Sequence, residues 1–289
     1  MKKKSKIIAV AVALVIVIGA IAGVAYRESS SVKKILPKQL ISVSEAELND
    51  GAVINLIAHR GLSGIAPENT LAAFKKACEA GFYGVEFDIQ LSSDNEWVVS
   101  HDYSMERMTG QKVEISQTTL FHLKELVFNN GANIEEYSGI NIPTLRETLE
   151  LLSQYDVVPV IEIKTKTKDQ IVEFIKMLKE FGYLDKAWVI SFNEEPLKEV
   201  KRMYKKMNVA YLTSNVKNKV IDLCLENGFD AISFNADKNG KGKARQVIDA
   251  GLIAQVWTVD NINTVEKFSD CGIEYFTTNS IIPGEVTEG

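Results

Sequence analysis

Glu86 and Asp88 stand two residues apart in Gly84-Val-Glu-Phe-Asp-Ile-Gln90, a run that reads as a β-strand. Side chains alternate faces along a strand, so these two carboxylates share one face of an otherwise apolar segment. A solvated outer face would tolerate that pair. A buried face would not, unless a proton or a cation stood between the charges. A hard divalent ion is the natural partner, because Mg²⁺ and Ca²⁺ take oxygen ligands. Three further runs end in groups that suit such a centre: His59-Arg60-Gly61, His101-Asp102 and Glu162-Ile-Lys164. Glu86, Asp88 and Glu162 together supply three anionic oxygens. Arg60 offers a planar fork that matches two phosphate oxygens, and Lys164, on the same face as Glu162, a compact positive charge. His59 and His101 can take and give a proton near neutrality. A metal with two cations would offset charge building on a phosphate. His122, the third histidine, falls on a short helical stretch and reads as surface or packing.

These groups need a scaffold that brings strand ends together. β-branched runs at 54–59, 84–90, 157–163, 187–191, 209–213, 231–235, 253–259 and 273–277 alternate with amphipathic patterns near 70–80, 145–155, 168–181, 194–206, 216–227, 241–250 and 262–270. Asn69 is placed to cap the first helix, with Gly81 just past its end. Thr144 and Glu147 have capping-box spacing directly after Pro143. Such alternation means βαβ units and a parallel sheet. Eight strands in about 240 residues predict an α/β fold, a (β/α)₈ TIM barrel, whose chemistry sits at the C-terminal strand ends; an open doubly wound sheet is the alternative. Residues 97–101 form a ninth strand after a polar turn too short for a crossover helix, so an antiparallel hairpin strand is expected beside the mouth. Residues 103–142 then read as an elaborated loop with one short helix at 120–127.

The N-terminus carries a different message. Four lysines and no acid in residues 1–6 precede 20 uncharged residues, 7–26, rich in Ala, Val and Ile. That length spans a bilayer core, and the lysines predict the N-terminus inside and the remainder outside. The expected organisation is an N-terminal transmembrane helix at 1–26, a stalk and short helix at 27–50 with Ser44 and Glu47 as its capping box, and a barrel at 51–289. A signal peptide cleaved near residues 20–25 is the alternative. Beyond residue 26 there are 29 Lys+Arg (33 less the four in residues 2–6) against 38 Asp+Glu, a net charge near −9. An acidic outer domain argues against nucleic acid as a partner. Cys78, Cys224 and Cys271 are scattered and odd in number, form neither a disulfide framework nor a metal motif, and read as small apolar residues. No Ser nucleophile elbow is present, and Asn239-Gly-Lys-Gly-Lys243 lacks P-loop spacing. Oligomeric state is not readable from these patterns.

Ala58-His-Arg-Gly61, Pro67-Glu-Asn-Thr70, Glu86-x-Asp88, His101-Asp102, Met108-Thr-Gly110, Ile142-Pro-Thr-Leu145, Glu162-Ile-Lys164 and Trp257-Thr-Val-Asp260 occur in that order. Together they resemble the glycerophosphodiester phosphodiesterase family over residues 54–283. The resemblance implies a barrel of the phospholipase-C-like phosphodiesterase type that hydrolyses glycerophosphodiesters to sn-glycerol 3-phosphate and an alcohol with Ca²⁺ or Mg²⁺. It implies His59 and His101 as the acid/base pair, Glu86, Asp88 and Glu162 as metal ligands, and Arg60, Lys164 and Trp257 as substrate contacts. It also implies attack by the substrate's own glycerol hydroxyl, with a cyclic phosphate that water then opens. Two departures stand out. Phe276-Thr-Thr-Asn279 has Asn where the family usually has Asp, one charge fewer near the mouth, which is not expected to abolish activity. The stretch 101–110 departs from the usual Leu-Asp-Arg-Thr core, which is expected to alter the loop around His101 and leave its chemistry in place. A lysophospholipid- or phosphoinositide-type phosphodiesterase of the same barrel class, and a non-catalytic phosphodiester-binding barrel, are the competing readings.

Overall fold

A parallel strand covered on both faces reads as a nearly continuous apolar run, and most of the chain's strands have this character. The computed structural model describes residues 32–43, 53–165, 168 and 170–284. Its strands are β1 (Ile41–Val43), β2 (Asn55–Ala58), β3 (Gly84–Leu91), β4 (Trp97–Val99), β5 (Val158–Ile163), β6 (Trp188–Ser191), β7 (Asn208–Thr213), β8 (Ala231–Asn235), β9 (Ile253–Trp257), β10 (Tyr275–Thr278) and β11 (Ile281–Pro283). Strands β2, β3 and β5 to β10 pair in parallel in sequence order, and β2 joins β3 on one side and β10 on the other. The sheet is therefore a closed eight-stranded barrel. Around it run the helices α1 (Leu71–Glu79), α2 (Glu106–Thr109), α3 (Leu120–Lys124), α4 (Leu145–Leu152), α5 (Ile171–Glu180), α6 (Glu194–Met203), α7 (Asn218–Asn227), α8 (Lys241–Asp249) and α9 (Ile262–Ser269).

Strand alternation divides the barrel into two cores. Val85, Phe87 and Ile89 of β3, Ile161 and Ile163 of β5, and Phe276 of β10 point outward into the layer under the helices. Ile57, Val160, Trp188, Ile190, Ala210, Leu212 and Ala231 fill the barrel interior. Glu86 and Asp88 belong to the inward set, and both are buried. The expected antiparallel strand is present: β4 pairs β3 with Ile89 opposite Val99 and Leu91 opposite Trp97.

Local signals set most helix starts. The Thr144 hydroxyl accepts from Glu147 N at 3.1 Å while Glu147 Oε2 accepts from Thr144 N at 2.7 Å, which completes the expected capping box. The first helix corrects the reading of Asn69. Thr70 is its cap, accepting from Ala73 N at 3.2 Å. Asn69 sits at φ 56°, a left-handed backbone that turns its side chain away from the helix and toward the barrel. Gly61, at φ +74°, lies where an added Cβ would stand 2.6 Å from the Ala73 carbonyl carbon, so only glycine lets this turn meet α1.

Two regions are more ordered than the sequence suggested. Residues 103–142 hold α2, α3 and short 3₁₀ turns at Ile115–Gln117 and Ile134–Glu136. They close over a core of their own that includes Val98, Met105, Met108, Ile115, Leu123, Phe128 and Ile142. Within the stretch expected to be stalk, β1 pairs in parallel with β11, Ile41 opposite Ile281. The described residues from Ile35 onward belong to one compact unit. The expected membrane helix and the Ser44 capping box lie outside the described residues. No helix among the described residues is long and apolar enough to cross a membrane. The three cysteines are free thiols, with Cys224 buried in the outer core, as expected of small apolar side chains. His122 is exposed and bonded only locally, its Nδ1 3.0 Å from the Thr119 hydroxyl.

Candidate active site

The carboxylates converge because parallel register puts Asp88 directly beside Glu162 across β3 and β5. One oxygen from each of Glu86, Asp88 and Glu162 lies within 4.8 Å of the others, and all three residues are buried. Their surroundings split their proton affinities. Burial, with repulsion from Asp88 and Glu162, pushes the Glu86 carboxyl well above its ordinary value. Burial and Asp88 likewise raise Glu162 to about 7, against the pull of Lys164. Burial would raise Asp88 too, but Lys164, Arg60 and His101 outweigh it and hold Asp88 well below the usual carboxylate range. The Lys164 ammonium is turned onto this cluster, 3.0 Å from Glu162 Oε1 and 3.2 Å from Asp88 Oδ1. Arg60 Nε lies 3.5 Å from Asp88 Oδ2. Three carboxylates against two cations, one of them shared with Glu68, leave negative charge in excess in a buried cup. An oxygen-only donor set with that balance fits a hard divalent ion.

The turn after β2 serves this cup. Arg60 adopts φ 58°, and its backbone N–H donates to Glu86 Oε2 at 2.8 Å. Asn69 Nδ2 donates to Asp88 Oδ2 at 2.8 Å, and Asn69 Oδ1 accepts from Asp88 N at 3.3 Å. A residue read from sequence as a helix cap therefore braces a carboxylate of the cluster.

His59, Arg60, Glu86, His101 and Glu162 line one cavity of about 250 Å³, completed by Ile190, Phe192, Leu212, Ser233, Trp257, Thr258 and Thr277. The groups read from the sequence at four separate strand ends are thus gathered around one space. Lys164 and Asp88 form the cup beneath it, and Trp257 joins its apolar side, packed edge-to-face on Phe192 at 5.7 Å between ring centroids. The buried Nε–H of Arg60 and Nε1–H of Trp257 have no protein hydrogen-bond partner. Arg60 Nε faces the Asp88 carboxylate beyond ordinary hydrogen-bond distance, whereas the Trp257 Nε1–H is a buried donor with no protein acceptor.

The two imidazoles differ in company. His101 Nδ1 lies 2.7 Å from Asp102 Oδ1. His59 Nδ1 lies 2.8 Å from Asn279 Oδ1. Burial and the neighbouring Arg60 guanidinium lower His59 to about 4 despite Asn279, Asp88 and Glu68. Sequence reasoning passed over the residues that link the loops carrying these rings. Glu68 accepts from Arg60 at 2.7 Å and from both terminal nitrogens of Arg107 at 3.0 and 2.7 Å. Arg107 also donates to Asp102 at 2.5 Å. A single ionic chain thus ties the turn of His59 to the loop of His101. Glu68 lay within the Pro67-Glu-Asn-Thr70 signature, so a signal existed. Arg107 stood in the stretch 101–110, where neither residue type nor spacing marked it.

Residues 59–282 match the glycerophosphoryl diester phosphodiesterase family. The chain belongs to that family. The glycerophosphodiester phosphodiesterase of Caldanaerobacter subterraneus subsp. tengcongensis is 38% identical over 224 residues, spanning 68% of this chain and 90% of that one. Among solved structures, the Oleispira antarctica phosphodiesterase in complex with the product sn-glycerol-3-phosphate superposes with a TM-score of 0.73 at 27% identity, over 79% of this chain and 94% of that one. The Thermotoga maritima glycerophosphodiester phosphodiesterase does so with a TM-score of 0.64, also at 27% identity, over 78% and 95% of the two chains. As a member of this phosphodiesterase family the chain is a phosphoric diester hydrolase. The cavity above the β-strands' C-terminal ends is where a barrel of this class does its chemistry.

Proposed function

We propose that this phosphodiesterase cleaves glycerophosphodiesters to sn-glycerol 3-phosphate and an alcohol, with His59 and His101 as the acid/base pair and Glu86, Asp88 and Glu162 as ligands of a Ca²⁺ or Mg²⁺ ion. The observation that carries the reading is the convergence of both histidines, Arg60, Glu86 and Glu162 on one cavity of about 250 Å³. That volume suits a glycerol phosphate end better than a whole lipid, since pockets for drug-sized ligands begin at roughly 300 Å³. The product in the Oleispira antarctica relative points to the same substrate class.

Within this reading the Arg60 guanidinium, which lines the cavity, contacts a phosphate oxygen. Lys164, bonded to Asp88 and Glu162, keeps the cup's charge partly balanced. One imidazole removes a proton from the attacking hydroxyl while the other protonates the leaving alkoxide. A divalent ion bound at the carboxylates would draw off charge that develops on the phosphate oxygens. The apolar wall of Ile190, Leu212 and Trp257 keeps water sparse and strengthens every charge interaction inside.

That wall also favours a second reading. Phe192 is 43% exposed beside Trp257, and an apolar rim of this kind suits the chain of a lysophospholipid. The deciding experiment is a panel of glycerophosphodiesters and lysophospholipids, each assayed with Ca²⁺, Mg²⁺ or EDTA, with release of glycerol 3-phosphate from the former and of lysophosphatidic acid from the latter as the readout. Release from small glycerophosphodiesters that stops in EDTA supports the primary reading. Full activity in EDTA removes the metal, and turnover restricted to lysophospholipids selects the second. The lysines of residues 1–6 and the uncharged stretch 7–26 further support an enzyme held at a membrane with its barrel outside. Cell fractionation with external protease tests this placement, and a soluble product cut near residue 26 would replace the anchor with a signal peptide.

A further inference from the structure

The Asn279 amide has no freedom in how it is oriented. Its backbone N–H donates to Asp260 Oδ1 at 2.7 Å and its Nδ2 donates to Asp260 Oδ2 at 2.7 Å. An ionised carboxylate only accepts, so the amide nitrogen must face Asp260 and the amide oxygen must face the other way. Asp260 stays ionised: burial favours its protonated form, but Lys38 and Asn279 outweigh burial and lower its pKa. Lys38 reaches it from the segment before β1, outside the residues that match the family, and the Thr278 hydroxyl donates to it at 3.1 Å. Asn279 Oδ1 is thus presented as a fixed acceptor. It takes the Ser63 hydroxyl at 3.0 Å on one side and meets His59 Nδ1 at 2.8 Å on the other.

Only a donor can meet that oxygen, so His59 must carry its hydrogen on Nδ1. A neutral ring then has its lone pair on Nε2. His101 is arranged differently: its Nδ1 faces the Asp102 carboxylate, which Arg107 holds from behind at 2.5 Å. The oxygen facing His101 belongs to a carboxylate, whereas the oxygen facing His59 belongs to a neutral amide. The other charged groups acting on His59 are Arg60, Asp88 and Glu68.

We propose that Asn279 is a positioning residue which, clamped by Asp260 and Lys38, locks His59 in the Nδ1–H tautomer and leaves the ring's lone pair on Nε2. The inference rests on the two-histidine reading and adds to it which nitrogen of His59 can act. With its Nδ1–H held by the amide oxygen, a neutral His59 can take a proton only on Nε2. An Asn at position 279, in place of the family's usual Asp, supplies the acceptor without adding a charge beside the ring.

The tautomer can be read without activity, by two-bond ¹H–¹⁵N NMR on the full chain labelled with ¹⁵N-histidine, at neutral pH with Mg²⁺ or Ca²⁺ present. His59, assigned by loss of its signals in His59→Gln, is expected to show a protonated Nδ1 and a bare Nε2. A bare Nδ1 overturns the proposal. In kinetics, Asn279→Leu, close in size but without an acceptor, is expected to lower kcat by roughly 10²-fold with KM unchanged within about twofold. Asn279→Asp combined with Asp260→Asn, which keeps an acceptor oxygen on His59 and an amide to meet the new carboxylate, should recover most of that loss. Equal kcat in Asn279→Leu and wild type, or no recovery in the exchanged pair, would also overturn it. Should Asn279→Leu not fold, the NMR result on the native chain still decides. Normal turnover in His59→Ala would instead remove the two-histidine reading itself, whatever tautomer the ring shows.

Discussion

The two sides of the cavity are built on opposite principles. From β2 through β5 the inward positions near the mouth are His59, Glu86, Asp88 and Glu162, with His101 just past β4; from β6 through β9 they are Ile190, Leu212, Ser233 and Trp257. The charged side is braced at nearly every group: Asn69 holds Asp88, Glu68 and Arg107 link the two histidine loops, and Asn279 holds His59. The apolar side needs no such bracing, because close-packed aliphatic and aromatic side chains hold themselves in place. Charged groups in a barrel must be told where to point, whereas apolar ones need only fit. The charged side should therefore control turnover and the apolar side the fit of substrate.

The sharpest break in that contrast is His59→Ala or His101→Ala. Each is expected to lower kcat by about 10²- to 10⁴-fold while circular dichroism reports a folded barrel. The same histidines set the pH response. His59 is depressed to about 4 by burial and Arg60, so it remains an unprotonated base as pH falls below 6.5. The acid limb of kcat/KM attributable to this base should lie near pH 4. A limb at its ordinary value would show that His59 is not the group removed from water.

Next in size is Glu162→Gln. Its apparent metal affinity, measured by calorimetric titration of Ca²⁺ or Mg²⁺, should fall by more than the ~10- to 100-fold that follows loss of an outer-shell partner. Glu68→Gln tests the bracing alone. Weakening the charged hydrogen bonds of Arg60 and Arg107 should lower stability by about 1.5–3 kcal/mol in urea unfolding and reduce kcat without abolishing it. The smallest effect belongs to the apolar wall: Trp257→Leu should raise KM by about 5- to 10-fold, within the range for trimming a hydrophobic pocket contact, and leave kcat nearly unchanged. A loss of kcat as large as that of His59→Ala would erase the distinction between the two sides.

Much of the charged side was legible in the chain. Period-two alternation placed Glu86 and Asp88 on one face, and the strand–helix rhythm put His59, Glu162 and Lys164 at strand ends, so the barrel and its mouth followed. The bracing was not legible. Asn69 looked like a helix cap because Asn has that preference, but a left-handed backbone at that residue handed the cap to Thr70 and turned Asn69 onto Asp88. Residues 103–142 looked like loop because their apolar residues follow no single period. They pack as a small core only once β4 and α3 have brought distant segments together.

The sequence by itself determined which residue types lie on which face of each strand, because alternation is a local property of an extended backbone. It determined too that eight such strands alternate with helices. Only the tertiary structure decided which oxygens meet, since contacts such as Lys38 with Asp260 or His59 with Asn279 join residues more than 200 positions apart. The difference in the two imidazoles' partners exists only after the barrel has closed β10 onto β2.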